Sequence, residues 1–118
     1  MARRILIADD NPIIRKMLCQ MFEIEENYDL CAEAGDGAEA IALAIKHKPE
    51  LIILDMLMPV MDGIQAAKEL KDLMPKVPII IFTLYAEAID PHHFAADRIV
   101  SKSEASTLMD HVRQLLPV

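Results

Sequence analysis

Five polar residues stand where apolar runs of this 118-residue chain stop: the pair Asp9-Asp10 after Ile-Leu-Ile-Ala, Asp55 after Leu-Ile-Ile-Leu, Thr83 after Ile-Ile-Ile-Phe, and Lys102 after Ile-Val-Ser. If the fold gathers them, three carboxylates repel one another unless a cation neutralises them. A carboxylate-rich, all-oxygen site suits Mg2+ or Mn2+ rather than zinc. A carboxylate can also attack phosphorus and form an aspartyl phosphate, provided that a metal, an ammonium and hydrogen-bond donors meet the charge on the transferring oxygens. Lys102 offers the ammonium and Thr83 the donor.

Those residues gather only if the elements that carry them lie side by side. Strand-length apolar runs recur at residues 4–8, 30–34, 51–54, 78–82 and 98–101. The runs at 51–54 and 79–82 are apolar at every position, which is the pattern of parallel strands covered on both faces. Between the strands, Ile13, Ile14, Met17, Leu18, Met21 and Phe22 share one helical stripe, with Asn11 at the N-cap and Pro12 at the first helical position. Asp36 with Glu39 opens a second helix carrying Ala38, Ile41, Ala42 and Ile45. A third carries Ile64, Ala67, Leu70 and Leu73, and the last carries Leu108, Met109, Val112, Leu115 and Leu116 after a cap at Ser103. Residues 86–97 should hold a fourth helix, short or irregular because Pro91 interrupts it. Alternating strands and helices predict a doubly wound α/β sandwich, whose right-handed crossovers place a ligand site at the carboxyl ends of the central strands.

With 53% hydrophobic and 26% charged residues, the chain has enough apolar surface for one core, and one domain over residues 1–118 is expected. Five aromatics contribute little to that core, so Ile, Leu, Val, Met and Ala must fill it, and the eight methionines read as packing. A net charge of −7 argues against direct nucleic-acid binding. The apolar stretch between Arg4 and Asp9 is too short for a signal peptide, and no run approaches a membrane span, so a cytoplasmic location is expected. Cys19 and Cys31 have no metal-ligand spacing and read as buried reduced thiols. The adjacent His92 and His93 read as solvated loop residues.

Taken in order, Ile-Leu-Ile-Ala-Asp9-Asp10-Asn-Pro, Leu-Ile-Ile-Leu-Asp55-Met-Leu-Met-Pro59-Val-Met-Asp-Gly63, Phe-Thr83 and Val-Ser-Lys102-Ser make the whole chain resemble the receiver domain of bacterial response regulators. The resemblance implies a flavodoxin-like, five-stranded parallel sheet in the order 2-1-3-4-5, with helices on both faces. It implies Asp55 as phosphoacceptor, Mg2+ (or Mn2+) held by Asp10, Asp55 and the Leu57 carbonyl with Asp9 acting through a water, and Thr83 and Lys102 on the phosphoryl group. It further implies a sensor histidine kinase or phosphotransfer domain as donor and a downstream protein or output domain as target. A homodimer on phosphorylation fits the same pattern. The chain is then a signalling domain rather than an enzyme, catalysing only its own Mg2+-dependent phosphorylation and dephosphorylation.

Four positions depart from the usual pattern. Ser103 follows Lys102 where proline is frequent, Ile99 stands where a switch tyrosine or phenylalanine is usual, and Leu84 follows Thr83 in place of a small residue. The stretch between Thr83 and Lys102 is also about one helical turn short. Singly, each residue of the set has a plain reading: Asp9-Asp10 as a strand end before a capped helix, Asp55 as turn chemistry, Lys102 as a surface lysine. A dehalogenase-type phosphatase needs a second Asp two residues after its nucleophile, where this chain has Leu57. A Rossmann-type domain needs a glycine-rich turn where Asp9-Asp10-Asn11-Pro12 stands. The remaining alternative is a degenerate receiver that binds partners without phosphorylation.

Overall fold

The computed structural model describes residues 2–90, 92 and 94–118. The readings of Pro91 as a helix breaker and His93 as a solvated residue lie outside the described residues. Five strands, β1 (Arg3–Ala8), β2 (Tyr28–Ala34), β3 (Leu51–Leu54), β4 (Ile79–Thr83) and β5 (Arg98–Ser101), form one sheet in the order β2-β1-β3-β4-β5. Every pairing is parallel, as expected of strands apolar on both faces. Helices α1 (Pro12–Glu23), α2 (Gly37–His47), α3 (Gly63–Leu73) and α4 (Leu108–Leu115) cover it.

Strand pleating sends alternate residues to opposite faces, and the core divides accordingly. Leu51, Ile53, Ile80 and Phe82 pack with Leu18 and Phe22 of α1 and with Leu108, Met109 and Val112 of α4. Ile52, Leu54, Ile79 and Ile81 pack with Ala40 and Ala44 of α2 and with Ala66, Ala67 and Leu70 of α3. The second set corrects the expected helix stripes. In α2 the buried seam is Gly37, Ala40 and Ala44, while Ile45 is exposed; in α3 Ala66 joins the seam and Leu73 is exposed. Small side chains let these helices lie close to the sheet, and the larger residues end at its rim. Ile13, expected in the core stripe of α1, is 76% exposed because it begins the helix beyond the sheet edge.

The helix starts follow local chemistry. Asn11, Asp36 and Asp62 accept hydrogen bonds from the amides of Ile13, Glu39 and Gln65 at 2.9, 2.8 and 2.8 Å. Asp62 was not expected in that role. Ser103 does not cap α4: a 3-10 stretch at Lys102–Thr107 intervenes, with Ser101 as its cap accepting from the Ser103 amide at 3.2 Å. Between β4 and β5 the described residues hold a 3-10 turn at Ala86–Ala88, a further 3-10 residue at His92 and no α-helix, which agrees with a short or irregular fourth helix. Its return is clasped by Asp97, whose carboxylate lies 2.7 Å from Lys71 Nζ and accepts from the Ile79 amide at 2.8 Å. Cys19 and Cys31 are free thiols, though half-buried rather than fully enclosed.

Two glycines set how closely the loops approach the sheet's carboxyl edge. A Cβ on Gly63 would overlap the Asp55 carbonyl oxygen, and one on Gly37 would overlap the Met61 carbonyl oxygen, which accepts from the Gly37 amide at 3.0 Å. Between them, Val60 adopts a φ of 67° and the Met61 amide donates to the Pro59 carbonyl at 2.7 Å, a tight γ-turn that a β-branched residue enters at a cost. Gly63→Ala is expected to destabilise the chain by about 2–3 kcal/mol, because backbone rather than a flexible side chain must yield. Urea denaturation measures this, and a loss below about 0.5 kcal/mol would show that the loop yields freely.

Candidate functional site

The parallel ladder runs past the formal strand ends and so fixes where the acidic residues begin. The Asp9 amide donates to the Ala34 carbonyl at 3.0 Å, and the Asp55 amide donates to the Ala8 carbonyl at 2.8 Å. Both backbones are thereby placed at one edge, on neighbouring strands. Asp9 is 2% exposed and Asp55 7%, whereas Asp10 is exposed. Oxygens of the three carboxylates all lie within 4.8 Å of one another.

Lys102, the first residue after β5, reaches into this cluster. Its Nζ lies 2.7 Å from Asp9 Oδ2 and 3.3 Å from Asp55 Oδ2, with the lysine side chain only 10% exposed. The other Asp9 oxygen, Oδ1, accepts from the Asn11 amide at 2.9 Å. One ammonium therefore serves two buried carboxylates, and a third is close by. Burial pushes the Asp55 carboxyl above the usual carboxylate range, the Asp9 charge adds to that, and Lys102 opposes it. A cluster short of positive charge, made wholly of oxygen donors and open on the Asp10 side, fits a hard divalent cation.

Thr83 ends β4, opposite Ser101 in the register with β5, and is fully buried. Its Oγ1 accepts from the Tyr85 amide at 3.2 Å, and no contact with the carboxylates is among its hydrogen bonds. Leu57 lies in the loop after β3 with its side chain half exposed. Leu84 and Tyr85, exposed at 68% and 51%, follow β4, so the strand ends that bear Asp55 and Thr83 both lead into apolar surface. The structure thus brings Asp9, Asp10, Asp55 and Lys102 together and sets Thr83 on the next strand. Gly63, legible in the sequence only as a turn residue, proves to be the residue that lets α3 start against the Asp55 carbonyl.

Comparison with known proteins places this arrangement. A family model described as "Response regulator receiver domain" matches residues 5–113. The chain is 33% identical to the chemotaxis protein CheY of Bacillus subtilis, over 98% of this chain and 99% of that one. It is 46% identical over 85 residues to the transcriptional regulatory protein PdtaR of Mycobacterium tuberculosis, covering 72% of this chain but 40% of that relative. The chain therefore spans only about two-fifths of the length of PdtaR. Among solved structures, the response regulator TrrA of Thermotoga maritima, in complex with Mg(2+)-BeF, superposes with a TM-score of 0.87 at 34% identity, over 97% of this chain and 99% of that one. A LuxR-family response regulator from Aurantimonas sp. gives 0.88 at 28% identity, over 98% and 86% of the two chains. Strand order, an acidic edge answered by one buried lysine, and a family match across nearly the whole length agree: the chain belongs to the response regulator receiver domains.

Proposed function

We propose that residues 1–118 act as one receiver domain that accepts a phosphoryl group on Asp55 from a histidine kinase or a phosphotransfer domain. The observation that carries this reading is the cluster of Asp9, Asp10 and Asp55 with Lys102 as its one close ammonium among the described residues. Asp10, Asp55 and the Leu57 carbonyl would hold Mg2+ (or Mn2+), with Asp9 acting through a water. When bound, the cation offsets charge on the transferring phosphoryl oxygens. An Asp55 oxygen forms the new bond to phosphorus while the bond to the donor's histidine nitrogen breaks, and the imidazole leaves with its electron pair. Lys102, already between Asp9 and Asp55, turns its ammonium toward a phosphoryl oxygen, and Thr83 donates its hydroxyl to another. The phosphorylated surface then selects a downstream protein or output domain.

No helix among the described residues is long and apolar enough to cross a membrane, and a cytoplasmic location accords with that. The test is incubation with acetyl phosphate, with and without Mg2+, followed by intact-mass measurement. A gain of one phosphoryl group that disappears on chelation is expected. No gain under any loading condition, the cognate kinase included, would leave a phosphorylation-independent interaction module.

The exposed side chains of Leu57, Leu84 and Tyr85 lead to a second expectation. In the resembling family the positions two residues after the phosphoacceptor and after the threonine tune attack by water. Here neither carries a base or an amide. A water in line with phosphorus should be poorly held, so the phosphoryl group should be lost slowly. Leu57→Asn is expected to release phosphate several-fold faster than the parent when both are loaded to the same level. Equal rates would remove the apolar rim as the cause.

A further inference from the structure

Arg15 sits on the first turns of α1 and points back toward the end of β1. Its Nη1 donates to the backbone carbonyl of Asp9, and its Nε lies 3.8 Å from Glu33 Oε1 on β2. Arg15 is partly buried, with its side chain 26% exposed, and its Nη1 lies beside Gly35, where a Cβ would meet it at an ordinary contact distance of 3.8 Å. The carbonyl it holds belongs to the peptide that joins Asp9 to Asp10. The same turn is fixed elsewhere through Asp9, whose two carboxylate oxygens are taken by Lys102 Nζ and by the Asn11 amide. Asp10 is the one acidic residue of the cluster left exposed, and the peptide before it is what decides where its carboxylate can go.

We infer that Arg15, braced by Glu33, is a positioning residue for the cation site: it clamps the Asp9–Asp10 peptide so that the Asp10 carboxylate faces the other two. This rests on the reading of Asp9, Asp10 and Asp55 as the Mg2+ site. Charge and geometry make opposite predictions here, which allows a sharp test. As a cation on the next element, Arg15 repels Mg2+, so by charge alone its neutralisation should strengthen binding. As a clamp acting behind a ligand, its loss should weaken binding, by about tenfold for partners of this kind. The Cys19 thiol, one turn along α1, is pushed up to about 11 by burial and then by its hydrogen bond to the Glu33 carboxylate, so it stays neutral and shares Glu33 with the guanidinium.

The experiment is Mg2+ titration by calorimetry on the full chain, for the parent, Arg15→Gln, Arg15→Lys and Glu33→Gln. It is paired with amide hydrogen exchange at Asp10 and Asn11 in metal-free protein. The expected result is about tenfold weaker Mg2+ binding for Arg15→Gln, a smaller loss for Glu33→Gln, and faster exchange at both amides. Arg15→Lys, which keeps the charge but not the planar fork, should recover affinity only in part. Tighter binding by Arg15→Gln, or unchanged binding and exchange, overturns the inference. Failure of the parent to bind Mg2+ at all overturns the metal site itself, while the exchange measurement still reads the clamp. If Arg15→Gln does not fold, Arg15→Lys and Glu33→Gln decide by the same two readouts.

Discussion

Asp55→Asn is expected to abolish the mass gain from acetyl phosphate and, with metal removed, to make the folded chain more stable at neutral pH. The first effect is chemical, since an amide oxygen is too weak a nucleophile to replace the carboxylate. The second is electrostatic. Asp55 is buried beside Asp9, and its carboxyl is held above the usual range, first by burial and then by that neighbouring charge. A carboxyl whose pKa is higher in the folded state than in the unfolded state favours folding at low pH and loses that contribution as pH rises through the folded value. Parent and variant should therefore be closest below the ordinary aspartate range. Their stabilities should separate as pH climbs from there through the folded pKa of Asp55, then stay apart. A gain of order 1 kcal/mol is expected at neutral pH, the scale for removing an incompletely compensated buried charge. Urea denaturation across pH in chelator measures it. A variant that is less stable than the parent at neutral pH would show that Lys102 more than compensates Asp55.

Lys102→Met should move stability the other way, and by more. Lys102 Nζ lies within 3.3 Å of both Asp9 and Asp55, whose side chains are 2% and 9% exposed. Removing the ammonium leaves two buried carboxylates facing each other with no cation between them. Breaking a buried pair in this way costs about 3–5 kcal/mol, far beyond the value of a surface ion pair such as that between Arg113 and Asp110. Two further measurements separate charge imbalance from lost packing of the lysine stem. Mg2+ should restore much of the lost stability of Lys102→Met, since a divalent cation answers the same carboxylates. Adding Asp55→Asn should also restore part of it, so that the double variant falls well short of additivity. A cost that neither Mg2+ nor Asp55→Asn relieves would assign the loss to packing.

The strands and their order relation to the site were legible because β3 and β4 are apolar throughout and are followed at once by Asp55 and by Thr83. A strand buried on both faces has no polar position to blur its limits, and the first polar residue after it must stand at the sheet edge. The caps at Asn11 and Asp36 were legible for a similar reason, being made with backbone two or three residues away. The helix faces were less so. Alanine-rich α2 and α3 carry apolar residues on more than one side, and only their distance from the sheet chooses the Ala40, Ala44, Ala66 and Ala67 seam. The start of α4 was misplaced because Ser103 has a good capping side chain, yet Lys102 must first turn into the acidic edge, and a 3-10 stretch makes that turn.

The nature of the site, three carboxylates and one ammonium, follows from residue types at strand ends, because a parallel α/β sheet sends every strand end to the same edge. Which oxygen meets which partner does not follow. That Asp9 is the carboxylate paired most closely with Lys102, that Asp10 stays exposed, and that Gly63 lies against the Asp55 carbonyl depend on contacts between residues 45 to 93 positions apart, or on backbone approach with no sequence period. The Arg15 clamp belongs to the same class. Its donor and acceptor are six residues apart, on a helix and at a strand end, and Glu33 joins them from a third element. Local patterning can mark each of these residues as polar and well placed, but the angle at which α1 leaves β1 is set by packing of Leu18 and Phe22 on the sheet, and that packing is what carries the guanidinium to the Asp9 carbonyl.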